Sequence, residues 1–372
     1  MSFLEAYHLE LEALSPVHVG TGEVYPAYAY VPDREAKQVH LLDPAALLLS
    51  LPEARRRQYL EKVAQGPKAA QEILNFLYQE GQLPQGAILR TVGASAAFFK
   101  TLEDATEEAA LEWRPLPQSP LGPYLPGSSV KGALRTAWLF WTLLRRGEVV
   151  EFREGRWTLR KASRDGEALI RPPKSPKLQD NQTFEATVLG YMGGRGPDLY
   201  RDPFRAVRLS DSGPGEGFLN RIGVFHPGKD TRGLILLAET FRKGSRFSLS
   251  FRYHKGLSAP ERKGVAGPIP PGELKKALRE YYRKVAEWEQ AFAEDHGLKR
   301  ALEVYQELKE RLEDPEVFPL RVGFGSGRLA LRLALLLPED HLEAQEPKTR
   351  KTIGATNPQD GYPLGWMVGR MR

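Results

Sequence analysis

The 372-residue chain contains no cysteine. Disulfides, thiolate zinc sites and cysteine nucleophiles are therefore excluded, and the composition suits a cytoplasmic protein in which nothing depends on redox state. Long apolar runs are missing too. The longest, such as Leu234 to Ala238 and Leu333 to Leu337, fall far short of the roughly eighteen residues a membrane span requires. The opening stretch Met1 to Leu14 carries three glutamates and alternates Tyr7, Leu9 and Leu11 with His8, Glu10 and Glu12, which is the pattern of a half-buried strand and not of a secretory signal. The seven histidines show no catalytic or metal-binding spacing, and no cofactor or metal is expected. No internal repeat of roughly twenty to fifty residues is present.

What is present is enough for a sizeable core, with 41% hydrophobic residues, and a length of roughly two to three domains. The formal charge is only +6, but it is unevenly placed. Residues 121 to 260 hold 24 Lys and Arg against 13 Asp and Glu, an excess of 11, which leaves the remainder about 5 negative. A basic middle is what a chain following a phosphate backbone needs, although surface cations can also be solvated or paired.

Periodicity predicts a strand over Phe3 to Ala13, a short strand near Ala27 to Val31, and helices over Leu42 to Leu51, Glu53 to Gln65 and Ala69 to Gln79. After a proline-rich stretch, Ser128 or Ser129 can cap a helix running to about Arg146. Residues 147 to 232 read as loops and short strands, Leu234 to Phe241 and Phe247 to Tyr253 as a hairpin, and Glu273 to Phe292 as a long helix. In that helix Tyr281, Tyr282, Trp288 and Phe292 suit a core better than a base-stacking platform. This order predicts an α+β fold of two ferredoxin-like modules with helical insertions, divided into residues 1–230 and 231–372.

The sharpest motif is Pro126-Gly127-Ser128-Ser129-Val130-Lys131-Gly132-Ala133-Leu134-Arg135. A helix N-terminus offers free N–H groups and partial positive charge, small residues let an anion approach, and Lys131 and Arg135 lie about 6 Å apart along one helical face. An ordinary capped helix with a basic stripe is the plainer alternative. A nucleotide-triphosphate loop is excluded, because Ser128 stands where that motif requires lysine. A second motif, Val322-Gly323-Phe324-Gly325-Ser326-Gly327-Arg328, is either an anion cradle or a tight turn, and it lacks the last glycine of a dinucleotide fingerprint. In the third, Asp202 to Ser212, Arg205 and Arg208 can face a phosphate. Asp202 and Asp211 would bind metal only if further carboxylates converged on them. His18, beside Gly20 and Gly22, can touch RNA or act as a base, but no partner for it can be named.

Ser15-Pro16-Val17-His18-Val19-Gly20-Thr21-Gly22, the Leu125 to Arg135 motif, the Arg205 to Ser212 segment and the Gly323 to Gly327 loop occur in an order that resembles the RAMP superfamily of CRISPR-associated proteins. The helical stretch from 273 to 313 and Tyr362-Pro363-Leu364-Gly365-Trp366 are most similar to the fifth Csm subunit of type III-A effector complexes. The resemblance implies two RNA-recognition-like domains. It implies a non-catalytic subunit that binds CRISPR RNA and caps the 3′ (head) end of the complex beside the repeated backbone subunit. It further implies support of CRISPR RNA maturation, with host nucleases as additional partners. RNA contacts are expected at His18, Gly127, Ser128, Ser129, Lys131, Arg135, Arg205, Arg208, Gly323, Gly325, Gly327 and Arg328. The alternative is a metal-independent endoribonuclease of the same superfamily with His18 as general base.

Overall fold

A computed structural model describes residues 3–105, 111–163, 166–171, 181–231, 234–257, 268–326, 334–338 and 348–372. The N-terminal alternation forms β1 (Leu4–Ala13), followed by β2 (Tyr30–Asp33), β3 (Gln38–Leu42), the helices α1 (Pro44–Ser50), α2 (Glu53–Ala64) and α3 (Pro67–Gln79), then β4 (Ile88–Ala94), α4 (Ala96–Asp104) and β5 (Trp113–Arg114). The long α5 (Gly127–Arg146) precedes β6 (Glu148–Arg153), β7 (Arg156–Lys161), α6 (Asn181–Leu189), β8 (Val207–Leu209), β9 (Phe218–Phe225), β10 (Ile235–Thr240) and β11 (Arg246–His254). The helices α7 (Pro271–Asp295) and α8 (Lys299–Arg311) lead to β12 (Phe318–Arg321), β13 (Arg350–Ile353), β14 (Tyr362–Pro363) and β15 (Trp366–Met371).

Two sheets organise these elements. The first has the order β8-β11-β1-β15-β12, with every pair antiparallel. Alternation along β11 sends Phe247, Leu249, Phe251 and Tyr253 into the core, where they join residues of α5 and α7, and leaves Arg246, Ser248 and Arg252 exposed on the opposite face. The second sheet has the order β14-β13-β9-β4-β3-β2, with β10 also on β9 and β5 on β10; the β9/β4 and β10/β5 pairs are parallel. The helices α1 to α3 bury Leu47, Tyr59, Leu74 and Leu77 in a small core of their own against Val31 and Leu42.

Local sequence explains α5. Pro126 occupies the N-cap, so Ser128 and Ser129 lie inside the first turn and do not cap it. Val130, Leu134, Ala137 and Phe140 return to one face and are buried, and full burial of each larger side chain contributes about 1.5–3 kcal/mol. Gly147 ends the helix in the left-handed region at φ 57°, which costs glycine nothing, while Arg145 and Arg146 complement the partial negative charge of the last turn. Tyr282 of α7 donates to the Ala133 carbonyl at 3.1 Å, fixing the two helices together. Glu289 of α7 ties both sheets to that helix, accepting from Arg321 of β12 at 3.3 Å and Arg350 of β13 at 2.7 Å.

Two expectations change. The hairpin between Leu234–Phe241 and Phe247–Tyr253 does not form: β10 pairs with β9 and β11 pairs with β1. The Arg242 to Ser245 turn instead passes the chain between sheets, held by Gly244 N–H to Ala13 O at 2.7 Å and Ala13 N–H to Ser245 O at 2.9 Å. Alternation identifies a strand without naming its neighbour. The point 230/231 of the expected division falls between β9 and β10, which are hydrogen-bonded, and β1 lies between β11 and β15. Finally, 147 to 232 contains α6 and the eight-residue β9, whose pattern of near-continuous burial gives no polar alternation to read.

Candidate nucleic-acid interface

The Ser15 to Val19 segment crosses from one sheet to the other. Val17 exchanges backbone hydrogen bonds with Phe241 at 3.0 and 2.8 Å, Pro16 O accepts from Gly365 N–H at 2.9 Å, and His18 O accepts from Phe324 N–H at 2.8 Å. Ser15 Oγ accepts from the Trp366 N–H at 2.9 Å. Three motifs far apart in the sequence thus meet: Ser15 to Gly22, the glycine loop and Gly365-Trp366. Glycine is required where they touch. A Cβ on Gly323, at φ +84°, would lie 2.2 Å from His18 O, and one on Gly365, at φ +82°, would lie 2.3 Å from Val322 O. Gly325 is also left-handed, at φ +80°. The Ser326 hydroxyl donates back to the Gly323 carbonyl. Gly327 and Arg328 lie outside the described residues.

His18 takes a different part from the one expected of it. Its side chain is buried, at 1% exposure, with Nδ1 2.7 Å from the Glu239 carbonyl. Because a carbonyl oxygen only accepts, Nδ1 carries the hydrogen. Burial holds the imidazole pKa below its ordinary value, so the ring is neutral at pH 7. Phe324 meets it edge-on, with ring centroids 5.9 Å apart. The ring positions the glycine loop and, as folded, is withdrawn from solvent.

Cations rim this junction. Lys351 Nζ lies 3.8 Å from the Phe324 ring centroid. Its pKa is lowered, first by burial and then by the positive charge of Arg114, which is exposed. The exposed guanidinium of Arg242 stacks 3.6 Å over Phe218. Behind the rim, Glu239 is fully buried and accepts from Arg90, the Leu116 N–H and Gln118. None of these cations was singled out from sequence, since their neighbours come from other elements. The one available signal was Glu239 itself, an acid inside the apolar run from Leu234.

At the start of α5 the expected anion site is partly filled by the chain. The Gly127 N–H donates to Asp211 Oδ1 at 2.8 Å, and a Cβ on Gly127 would sit 2.3 Å from Ser210 O. Gly127 therefore lets the helix dock on the Ser210 to Ser212 turn. Ser128 is exposed and Ser129 half-buried. Lys131 and Arg135 share a face as their spacing requires, but both turn into residues 202 to 207: Lys131 Nζ donates to Val207 O at 2.7 Å, and Arg135 pairs with Asp202 at 2.6 Å and Glu185 at 3.4 Å. Arg135 also covers the Phe204 ring at 4.6 Å. The stripe expected to meet two phosphates is thus half-buried, with the Arg135 charge already neutralised. Burial, followed by repulsion from Arg135, lowers the Lys131 pKa. Arg205 is exposed, donating to Tyr200 O at 2.5 Å and lying 5.3 Å over its ring; Arg208 is exposed on β8. Among the described residues, no group of three or more His, Asp or Glu could hold a metal ion, and Asp202 and Asp211 instead serve Arg135 and Gly127.

This arrangement, with glycine loops locked at the junction of two sheets and cations around them, defines a class. Residues 10–330 match the RAMP superfamily, and the chain belongs to it. Its structure is similar to a chain of the "Csm-crRNA-target RNA ternary complex in type III-A CRISPR-Cas system", with a TM-score of 0.68 and 20% identity over 98% of this chain and 100% of that one. It is likewise similar to Csm5 of T. onnurineus, with a TM-score of 0.64 and 20% identity over 96% and 99% of the two chains. At this identity the likeness is one of fold, and it bears out the resemblance carried by the motifs. No curated protein matches the sequence. Among the described residues no helix is long and apolar enough to cross a membrane.

Proposed function

We propose that the chain is the Csm5-type subunit of a type III-A complex, a non-catalytic protein that binds CRISPR RNA at the 3′ end of the assembly and supports its maturation. The observation that carries this reading is the fold likeness to a Csm-complex chain over 98% of this chain and 100% of that one. The path β8-β11-β1-β15, with α5 joining β1 to β8 and α7 between β11 and β15, is read as one ferredoxin-like unit. The second sheet departs from that plan through its parallel pairs. Guide contact is assigned to the rim around Gly323 and Gly325, with Arg114 and Lys351 as the phosphate-facing cations and the repeated backbone subunit as neighbour.

The burial of His18 speaks against the endoribonuclease alternative, because its ring would have to leave its site to meet a phosphodiester. The test is to co-purify the tagged chain with its partner subunits and determine the ends of the bound RNA. Guide RNA should be recovered with trimmed 3′ ends, and guides from complexes lacking the subunit should be longer. Recovery of partner subunits without dependence of those ends on this chain would overturn the maturation role. Cleavage of repeat RNA by the purified chain in EDTA, lost in His18→Ala, would restore the enzyme reading.

A further inference from the structure

The outward face of the first sheet carries a second cluster of arginines, of which the motifs single out only Arg208. Opposite the buried side chains of β1 and β11 it presents His8, Glu10 and Glu12 on β1, and Arg246, Ser248, Ser250 and Arg252 on β11. Arg208 on β8 and Arg370 on β15 complete it. A groove of about 530 Å³ runs over His8, Glu10, Glu12, Arg246, Ser248 and Arg370. Most cations at this groove are neutralised within the chain. Glu12 meets Arg311 at 2.9 Å and Arg246 at 3.6 Å, Glu10 meets Arg372 at 3.5 Å, and Asp314 meets Arg370 at 2.6 Å.

Arg208 and Arg252 are the exception. They stand directly opposite each other in the β8/β11 register, both exposed, and the residue across from Arg252 on β1 is Ala6. No carboxylate therefore lies in their row. Like charges facing each other across a pair of strands, with Cβ atoms about 5 Å apart, are destabilising unless an anion sits between them. Their neighbours are hydrogen-bonding side chains. Ser250 is the next outward residue on β11 and faces His8, whose Nε2 is 3.0 Å from Ser248 Oγ. Round the edge strand, half-buried Lys131 donates to the carbonyl of Val207, the residue before Arg208.

We infer that this face, from Arg208 and Arg252 along Ser250 and His8, binds the phosphodiester backbone of single-stranded RNA, as a second contact separate from the glycine-loop rim. A repeating polyanion fits better than one acidic side chain of a protein, since two exposed guanidinium groups stand side by side with Ser250 and His8 in the next row. Among the described residues the outward positions of β1, β8 and β11 carry no Phe, Tyr or Trp, so the contact grips backbone without stacking bases there and is indifferent to sequence. The inference rests on the proposed RNA-binding role.

The test is fluorescence anisotropy of the full chain with labelled single-stranded RNAs of two unrelated sequences, over a range of salt, with polyglutamate as a competing polyanion. Arg208→Ala/Arg252→Ala should weaken both RNAs alike, by about tenfold, and reduce the slope of log K against log salt by about 1.4, which is two phosphates at about 0.7 each. Arg208→Lys/Arg252→Lys should keep most of the binding. An unchanged affinity and slope in the alanine variant, with binding lost in Arg114→Ala/Lys351→Ala, would overturn this contact while leaving the proposed function intact. Displacement by polyglutamate as effective as by unlabelled RNA would also overturn it. Absence of RNA binding by the unaltered chain would overturn both readings.

Discussion

Arg90 and Glu239 form a two-pronged ion pair, Nη1 to Oε1 at 2.6 Å and Nη2 to Oε2 at 2.8 Å, across 149 positions of sequence. The same carboxylate accepts the Leu116 N–H at 3.1 Å, and the backbone carbonyl of Glu239 holds His18. One residue thus fixes β4, the segment after β5 and the Ser15 to Val19 crossing. Glu239→Gln should lower unfolding stability by about 3 kcal/mol, the lower end for breaking a buried pair, because Arg90 retains 24% exposure. Urea denaturation checks this; a loss below about 1 kcal/mol would remove Glu239 from that role.

The glycine loop gives a prediction about close approach. Gly323→Ala sets a left-handed backbone and a methyl group against His18 O, whereas Gly22→Ala, at φ +88°, meets nothing within 4 Å. The second change should cost about 1–2 kcal/mol of backbone strain alone, and the first clearly more. Equal shifts of the thermal midpoint would show that the loop yields.

Stability should depend on pH through His18. Its folded pKa is depressed by burial below the ordinary 6.5, so in mildly acid solution the unfolded chain binds the extra proton first. Stability is then fully present above about 6.5 and declines as pH falls towards the folded pKa. His18→Asn, which keeps a donor for the Glu239 carbonyl, should flatten this decline. Thermal midpoints measured from pH 8 to pH 5 give the comparison, and parallel curves for the two proteins would rule His18 out.

Tyr200 is 81% exposed, with Arg205 over its ring. If bases stack there, Tyr200→Ala should weaken single-stranded RNA by about 1–3 kcal/mol while changing folding stability by less than about 0.5 kcal/mol. RNA binding unaffected by this change would confine Arg205 to bracing its own loop.

Much of the fold could be read from sequence, because period and punctuation are local. The alternation in β1, the apolar spacing of α5 and α7, and the Gly147 stop each depend on neighbours within a few positions. What pairs with what is a property of the folded chain. The strand character of β10 and β11 was visible, but not that the four residues between them change sheets. The candidate site divides in the same way. The glycines of the loop were found because their φ angles and contacts demand glycine, whereas Arg114 and Lys351 look like ordinary surface cations until the fold sets Lys351 over Phe324 with Arg114 close enough to repel it. Arg135 shows the converse: helical spacing places it correctly, yet Asp202 and Glu185 arrive only through the fold.

The central position of β1 has a consequence for synthesis. Both of its hydrogen-bonding edges need strands made much later, residues 246–254 and 366–371. At ordinary elongation rates that is a wait on the order of tens of seconds. Until the first of them emerges, an alternating apolar strand has no native neighbour on either side. Such an edge invites pairing with other nascent chains. Acids and polar groups on the outward face, Glu10 and Glu12 beside His8, therefore do more than pair with arginines in the finished protein. Charged side chains on an unpaired strand oppose pairing with a wrong neighbour before the last strand has been made.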